Sequence, residues 1–286
     1  MAGSTPAEPV LITGCSSGIG QAAAASLHGA GLRVYATARR VDTLAGLASR
    51  GIATLALDVT DETSMAEAVA AVEAEAGAVG CLINNAGYGL YGPVEQVPMA
   101  EVRRQFETNF FGLVRLTQLV LPGMRHRRGG RILNVSSMGG RATLPGGAFY
   151  HASKYAVEAF SDALRMEVAQ FGIEVVLIEP GPVKSPWNEV AAGSLGEAAS
   201  GSGTDPYAAY KAAVGGSFSR TVSGPLARLG SDAQDIARVI TRAVTAQRPR
   251  TRYLINPVAK GVVTMNRLLP GRAYDAVIRR QYRLPG

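Results

Sequence analysis

Short apolar runs rich in β-branched residues alternate with longer segments of helical periodicity along most of the chain. The apolar runs predict strands at residues 10–13, 32–37, 52–58, 81–84, 131–136, 173–179 and 252–256. The longer segments predict helices at residues 19–30, 61–76, 99–125, 149–171 and 231–247. Strands that alternate with helices form parallel sheets, because each crossover returns the chain to the same end of the sheet. The pattern therefore predicts an α/β fold, a doubly wound parallel sheet of about seven strands with helices on both faces.

The chain shows no internal repeat, so we expect a single domain that spans residues 1–286. In a doubly wound sheet, a ligand binds at the carboxyl ends of the strands, where the strand order reverses. Residues 191–205 depart from the alternation, since they are rich in Ala, Gly and Ser and carry little apolar bulk. This composition predicts a loop, either a lid over the site or an ordinary surface insertion. We expect a substrate-binding loop or lid within residues 185–230.

The composition indicates a globular chain, because 47% of its 286 residues are hydrophobic and can form a sizeable core. No run approaches the roughly 20 apolar residues that cross a bilayer, and residues 1–9 lack the apolar core of a signal peptide. We therefore expect a cytoplasmic protein without a transmembrane segment. Cys15 and Cys81 lie in apolar segments outside any CxxC pair, which predicts small buried side chains. The three histidines are scattered, so no metal site is predicted.

The net charge of +7 is concentrated in the last quarter of the chain. From Arg220 onward, 13 basic residues stand against 3 acidic ones. These basic residues are dispersed, which favours a solvated basic surface, with attraction to an anionic membrane or an acidic partner as the alternative. No nucleic-acid-binding motif accompanies the charge, so nucleic acid is not a predicted partner.

The first predicted strand runs into a glycine-rich turn, TGCSSGIG at residues 13–20, and then into an alanine-rich helix. Glycines permit positive φ and close approach to a pyrophosphate, and a helix N-terminus presents free N–H groups. This context predicts a dinucleotide site that includes Gly14, Ser16, Ser17, Gly18, Ile19 and Gly20. Arg39 and Arg40 follow the second strand, where an NAD enzyme carries an acidic residue for the ribose 2′-hydroxyl. A guanidinium matches a 2′-phosphate, so Arg39, with help from Arg40 and Ser17, favours NADP(H) as the cofactor.

Tyr150 and Lys154 are four residues apart on one predicted helix, so their side chains are neighbours. A nearby cation favours the phenolate, and we expect Lys154 to lower the Tyr150 pKa from its usual value near ~10. Upstream, the fifth strand ends in Ser136-Ser137, where a hydroxyl would donate to a substrate carbonyl oxygen. These groups predict proton transfer coupled to hydride transfer between a nicotinamide and a carbonyl or alcohol.

The TGxxxGxG turn, the YxxxK pair, the upstream serine and PGPVKS at residues 180–185 together resemble the short-chain dehydrogenase/reductase family. The resemblance covers residues 13–185 and implies a Rossmann fold with Asn109, Ser137, Tyr150 and Lys154 as catalytic residues. Ser137 matches the family spacing better than Ser136. The resemblance also implies cofactor contacts at Asp58, Val59, Asn85, Ala86, Gly87, Tyr150, Lys154, Pro180, Gly181, Val183 and Ser185. It further implies that Lys154 binds the nicotinamide ribose, that Asn109 positions a water and that Asn84 steadies the sheet.

Four stretches, ITGCSSGIG at 12–20, VYAT at 34–37, NNAGYG at 84–89 and FYHASK at 149–154, look like the 17β-hydroxysteroid dehydrogenase and retinol dehydrogenase branch. The similarity fades after Ser185, so the expected substrate is a small hydrophobic carbonyl compound or alcohol, with a steroid as one candidate. Tyr88, Leu90, Trp187 and Phe218 could line an apolar pocket or could pack ordinarily.

Family members usually pair through helices equivalent to 99–125 and 149–171, which implies a homodimer or homotetramer. Two alternatives to a reductase stay open: an epimerase that uses the cofactor transiently, and a non-catalytic NADP(H)-sensing regulator. Such regulators typically lose the tyrosine or the lysine, and this chain keeps both Tyr150 and Lys154.

Overall fold

The computed structural model describes residues 9–184, 193–195, 205–223 and 230–285. Its strands are β1 (Val10–Ile12), β2 (Val34–Ala38), β3 (Ala53–Ala56), β4 (Cys81–Asn84), β5 (Gly130–Val135), β6 (Ile173–Pro180), β7 (Val183–Lys184), β8 (Ser231–Asp232) and β9 (Arg252–Ile255). Seven of them form one sheet in the order β3-β2-β1-β4-β5-β6-β9, and every pairing is parallel. All seven predicted strands are present, so the predicted doubly wound α/β domain is confirmed.

The helices are α1 (Gly18–Gly29), α2 (Ala45–Ala48), α3 (Glu62–Ala76), α4 (Met99–Phe106), α5 (Gly112–Arg127), α6 (Ala148–Val168), α7 (Ala208–Ser223), α8 (Ala233–Thr245), α9 (Pro257–Leu268) and α10 (Gly271–Tyr282). Four of these, α2, α7, α9 and α10, were not predicted. The predicted helix at 99–125 is interrupted by a π-helical turn at Glu107–Phe111. The helix predicted at 231–247 begins at Ala233, because β7 and β8 pair as a second, two-stranded sheet.

Alternation along each strand sends successive side chains to opposite faces of the sheet. On β1, Val10 and Ile12 join one buried cluster, and Leu11 joins another. The first cluster packs against α1 and α8, and the second packs against α3, α5 and α6. Both faces of the sheet are therefore covered at its centre, which explains why the central strands are continuous apolar runs.

A buried amide pair joins the central strands beside the site. Asn84 at the end of β4 donates to Asn134 Oδ1 on β5 at 2.9 Å and to Thr117 Oγ1 at 3.2 Å. Asn134 donates in turn to Ser161 Oγ on α6 at 2.9 Å. These bonds confirm the predicted structural role of Asn84, and they fix α6 against the sheet.

The strand order reverses between β1 and β4, since β2 and β3 lie on one side of β1 and the later strands lie on the other. At such a point the turns that follow adjacent strands diverge and leave a crevice at the carboxyl edge. The predicted site residues that the structure describes after β1, β2, β4, β5 and β6 lie at or beside this edge.

Candidate active site

A cleft of about 840 Å³ follows the carboxyl edge of the sheet. The turns after β1, β2, β4, β5 and β6 line it together with the beginning of α6. The predicted site residues that line it are Gly14, Ser16, Ser17, Gly18, Ile19, Arg39, Asp58, Val59, Asn85, Ala86, Gly87, Ser137, Tyr150, Lys154, Pro180, Gly181 and Val183. Residues that are far apart in the chain are thus brought to one surface.

The turn after β1 has the geometry that a pyrophosphate requires. Gly14 and Gly18 have φ values of +72° and +59°, which side chains disfavour. A Cβ on Gly20 would lie 2.2 Å from the Gly14 carbonyl oxygen, so only glycine fits behind the turn. In the described part of the chain, the side chain of Ser17 at the α1 N-cap makes no capping hydrogen bond. The helix N-terminus therefore keeps N–H groups that can bind an anion, and the turn fits a dinucleotide.

The Thr13 hydroxyl and the Asn85 amide hold the turns after β1 and β4 together. Thr13 Oγ1 accepts hydrogen bonds from the backbone N–H groups of Asn85 and Ala86, each at 3.0 Å. Asn85 Nδ2 donates to the carbonyl oxygens of Thr13 at 2.9 Å and Gly14 at 3.2 Å. A Cβ on Gly14 would lie 2.9 Å from Ala86 Cα, so the two turns are in close contact. The wall of the cleft is thus fixed by bonds within the chain.

The two predicted arginines after β2 differ in position. Arg39 is exposed and lines the cleft. Arg40 is not among the described residues that line the cleft, and its Nε lies 3.7 Å from Asp42 Oδ1 in an exposed ion pair. The sequence places no carboxylate between Thr37 and Val41. Of the two arginines, Arg39 is therefore the one whose guanidinium lies at the cleft after β2.

Asp58 and Val59 line the cleft after β3, as predicted, with Thr60 beside them. The Asp58 carboxylate accepts from the Thr60 backbone N–H at 2.9 Å and from the Thr60 hydroxyl at 2.8 Å. Both hydrogen bonds lie within the turn after β3 and stabilise it.

The serine and tyrosine hydroxyls meet at the other end of the cleft. Ser137 shares a hydrogen bond with buried Tyr150, and Ser137 Oγ also accepts from the Gly139 backbone N–H at 3.0 Å. Ser136 lies beside Glu158 instead, and a Cβ on Gly140 would be 2.8 Å from Ser136 Oγ. The geometry therefore separates two adjacent serines, and Ser137 is the one that faces Tyr150.

Lys154 is buried below Tyr150 on α6. Its Nζ donates to the Val135 carbonyl oxygen at 2.8 Å and lies 6.0 Å from the centroid of the Tyr150 ring. Burial lowers the Lys154 pKa to about 8, and the Glu158 carboxylate opposes that change. Burial raises the Tyr150 pKa to about 12, and the Ser137 hydrogen bond opposes this rise. The Tyr150 pKa is thus shifted in the direction opposite to the predicted lowering, because desolvation outweighs the Ser137 hydrogen bond.

Asn109 lies behind the cleft in the π-helical turn between α4 and α5, and is not among the described lining residues. Its Nδ2 donates to the Tyr88 carbonyl at 2.9 Å and to Ser153 Oγ at 3.2 Å. Its Oδ1 accepts from the Tyr88 backbone N–H at 3.0 Å. A π turn re-aims a side chain within a helix, and here it joins the turn after β4 to α6.

His151 also lines the cleft, and both of its ring nitrogens are used. Nδ1 lies 3.0 Å from the Gly139 carbonyl, and Nε2 accepts from the Leu144 backbone N–H at 3.2 Å. Burial lowers the His151 pKa to about 4, so the ring is neutral near pH 7. The ring thus holds the segment between Ser137 and Tyr150.

The substrate end of the cleft includes residues that sequence reasoning missed. These lining residues are Tyr91, Arg104, Thr108, Leu144, Ser217, Val258, Val262, Gln281 and Tyr282. They come from α4, its following turn, α7, α9, α10 and the loops after β4 and β5, and no short motif joins them. The apolar periodicity of 257–282 was the one signal that could have located the last two helices.

The four residues that were predicted to line an apolar pocket or to pack ordinarily differ in position. Tyr88 lines the cleft, whereas Leu90 packs with Val97 and Val102 in a separate buried cluster. Trp187 lies outside the described residues, as do Ser185 and most of the predicted loop at 191–205. Phe218 belongs to α7, and its side chain lies outside the described part.

The described residues include no cluster of three His, Cys, Asp or Glu side chains that could hold a metal ion. Within the same ranges, no helix is both long enough and apolar enough to cross a bilayer. Cys15 and Cys81 are free and buried, as predicted.

Comparison with known proteins identifies the family. The model of the short chain dehydrogenase family matches residues 8–196. The uncharacterized oxidoreductase YbbO of Escherichia coli K12 is 36% identical over 284 residues, which are 98% of this chain and 97% of that protein. Retinol dehydrogenase 8 of Bos taurus is 38% identical over 265 residues, which cover 86% of this chain and 81% of its own.

Solved structures agree with this comparison. A short-chain dehydrogenase from Streptomyces avermitilis has a TM-score of 0.77 and 31% identity and covers 96% of each chain. The closed form of serine dehydrogenase complexed with NADP+ has a TM-score of 0.74 and 26% identity, with coverage of 87% of this chain and 94% of the other. A 3-ketoacyl-(acyl-carrier-protein) reductase from Brucella melitensis complexed with NADH has a TM-score of 0.69 and 25% identity, covering 83% and 90%. The chain therefore belongs to the short-chain dehydrogenase/reductase family, a family of nicotinamide-dependent oxidoreductases, and resembles its retinol dehydrogenase branch.

Proposed function

We propose that this protein is an NADP(H)-dependent oxidoreductase that interconverts a carbonyl and an alcohol on a hydrophobic substrate, a steroid-like ketone or hydroxysteroid being one candidate. The observation that carries the proposal is the convergence of Ser137, Tyr150 and Lys154 in the cleft that begins at the glycine turn. A proton donor, a hydrogen-bond donor to oxygen and a cation are the groups that reduction of a carbonyl requires.

The preference for NADP(H) rests on Arg39. A guanidinium that lines the cleft after β2 fits a ribose 2′-phosphate, whereas a carboxylate there would repel it. One similar structure carries NADP+ and another carries NADH, so family membership leaves both cofactors open. When bound, the nicotinamide supplies or accepts the hydride. We propose that Ser17 assists Arg39.

Tyr150 acts as the proton donor in the direction of reduction. Since burial raises its pKa to about 12, the phenol keeps its proton at neutral pH until negative charge develops on the substrate oxygen. Ser137 holds that oxygen by a hydrogen bond and orients the phenol. Lys154 reaches the cleft beside Gly87 and Tyr150, where its ammonium can bind the ribose hydroxyls of the cofactor.

Asn109 contributes to the site by holding neighbouring residues in place. Its amide holds the Tyr88 backbone and Ser153, which lies one residue before Lys154. We therefore place Asn109 among the residues that fix the site.

The second partner that we propose is another copy of this chain. The helices that usually form the family's interfaces carry exposed apolar side chains here: Phe111 is 49% exposed, Tyr155 41% and Met166 77%. Exposed apolar groups on helix surfaces favour association, which supports a homodimer or homotetramer.

The function is tested by following cofactor oxidation with a panel of cyclic ketones, aldehydes and steroid ketones. We expect net oxidation of NADPH, with a kcat/KM about tenfold or more above that with NADH, equivalent to roughly 1.4 kcal/mol. Net consumption excludes an epimerase, in which the cofactor is regenerated. Binding of NADPH without consumption across the panel would contradict the proposal and indicate a regulator. A preference for NADH would overturn the cofactor assignment alone.

A further inference from the structure

The last two helices of the described chain form one side of the cleft. Val258 and Val262 of α9 and Gln281 and Tyr282 of α10 are lining residues. All four lie beyond residue 196, where the match to the family model ends. This side of the cleft therefore comes from a part of the chain that the family match does not cover.

Helix α10 is anchored to the segment that precedes Tyr150. Tyr274 donates from its hydroxyl to the Thr143 carbonyl at 2.9 Å. Tyr274 and Ile278 are each 5% exposed, and they pack with Ala142 of that segment and Val263 of α9. Because an apolar cluster and a hydrogen bond fix the inner face of the helix, its last turn has a defined position over the cleft.

Tyr282 is the aromatic residue that this last turn brings to the cleft. Its ring packs with the cluster that contains Tyr91, Tyr150 and Val214. Its hydroxyl shares a hydrogen bond with Ser217 of α7, so the ring is held from a second helix. The Tyr91 ring is 5.9 Å from the Tyr150 ring, and Tyr91 also lies close to Tyr282. The rings of Tyr282 and Tyr91 thus form an aromatic surface beside Tyr150, the proposed proton donor.

We propose that Tyr282 determines substrate size in this protein, by limiting the apolar space available beside the reacting carbonyl. This inference rests on the proposed function. The apolar residues at this end of the cleft are Tyr91, Leu144, Val258, Val262 and Tyr282, and they fit an apolar substrate body. Gln281 is exposed and lines the same cleft, so its amide is available to bind a polar group of the substrate. The substrate class is therefore a carbonyl compound with an apolar body and a second polar group.

The test compares two cyclic ketones, the smallest and the largest that the wild-type protein reduces with NADPH in the panel. Tyr282→Ala removes contact with the small ketone and makes room for the large one. We expect the ratio of kcat/KM for the large ketone over the small one to rise about tenfold, mainly through KM. Tyr282→Trp should shift this ratio in the opposite direction, and Tyr282→Phe should leave it within about twofold, since the ring is kept.

Ile278→Ala is the matched control, because Ile278 lies one turn earlier on α10 and is not among the described residues that line the cleft. It loosens the same helix without touching the substrate space, and the ratio should stay within about twofold. An unchanged or reduced ratio in Tyr282→Ala, or an equal change in Ile278→Ala, would overturn the role of Tyr282. If Tyr282→Ala does not fold, Tyr282→Trp decides by the sign of its shift. If the wild-type protein reduces no ketone, the proposed function fails instead.

Discussion

The two ends of the cleft are built in different ways. The nucleotide end consists of turns that follow neighbouring strands, and backbone groups hold them together, as in the bonds from Asn85 and Ala86 to Thr13. The substrate end consists of side chains from segments that are far apart, such as Tyr88 and Tyr282. The nucleotide end depends on where strands end, and the substrate end depends on which distant helices pack over it.

This difference has a consequence for substitution. A side chain added in the glycine turn would collide with backbone atoms. For example, a Cβ on Gly20 would overlap the Gly14 carbonyl. A change at Tyr282 meets side chains from several helices, which can adjust. A side chain added in the glycine turn should therefore abolish cofactor binding, whereas a substitution at the substrate end should alter selectivity.

Among the exposed side chains of the nucleotide end, Arg39 is the one whose replacement, Arg39→Asp, should have the largest effect. It replaces a guanidinium with a carboxylate beside the proposed 2′-phosphate, so the ratio of kcat/KM for NADPH over NADH should fall by about 100-fold, or roughly 2.7 kcal/mol. Steady-state kinetics with both cofactors measures the ratio. Arg40→Asp is the matched control, since Arg40 is equally basic but pairs with Asp42, and we expect a change of less than about threefold. Equal effects of the two variants would remove Arg39 from the cofactor site.

Glu158→Gln should have a smaller effect, a shift in the pH dependence of kcat/KM. Glu158 lies one helical turn beyond Lys154, and its carboxylate raises the Lys154 pKa, which burial has lowered to about 8. Burial and the neighbouring Glu179 raise the Glu158 pKa to about 7, so Glu158 is charged above that pH. Loss of this charge should lower the Lys154 pKa further, and activity should then decline at a lower pH on the alkaline side.

The measurement is kcat/KM against pH for the wild-type protein, Glu158→Gln and Asp162→Asn. Asp162 lies one turn further along α6 and binds the same Arg252, so it serves as the control for that ion pair. We expect the alkaline limb of Asp162→Asn to remain where it is in the wild-type protein. An unshifted limb in Glu158→Gln would contradict the dependence on the Lys154 ammonium.

The strands and the nucleotide end could be predicted from the sequence, because each signal is local. An apolar run such as 173–179 predicts a buried strand by itself, and the glycine turn at 13–20 predicts its own conformation. The i, i+4 spacing of Tyr150 and Lys154 likewise predicts adjacency. It does not predict burial, and burial reversed the expected direction of the Tyr150 pKa.

Other features could not be predicted, since they depend on distant contacts. The π-helical turn at Glu107–Phe111 leaves the helical periodicity of 99–125 nearly unchanged. Helix α10 carries arginines on its exposed face and buries only Tyr274 and Ile278. The family spacing already favours Ser137 over Ser136, but the contacts that distinguish the two serines, with Tyr150 and Glu158 on the helix packed against them, cannot be read from the sequence.

The central claim, that the Tyr150 phenol transfers the proton, is tested most directly by measuring turnover and NADPH binding in the same Tyr150→Phe protein. Tyr91→Phe is the matched control, because it removes a second phenol whose ring lies 5.9 Å away and which lines the same cleft. We predict that Tyr150→Phe lowers kcat by about 1,000-fold while its NADPH Kd stays within about twofold, and that Tyr91→Phe keeps most of its activity. Retention of more than about a tenth of wild-type kcat in Tyr150→Phe would contradict the claim.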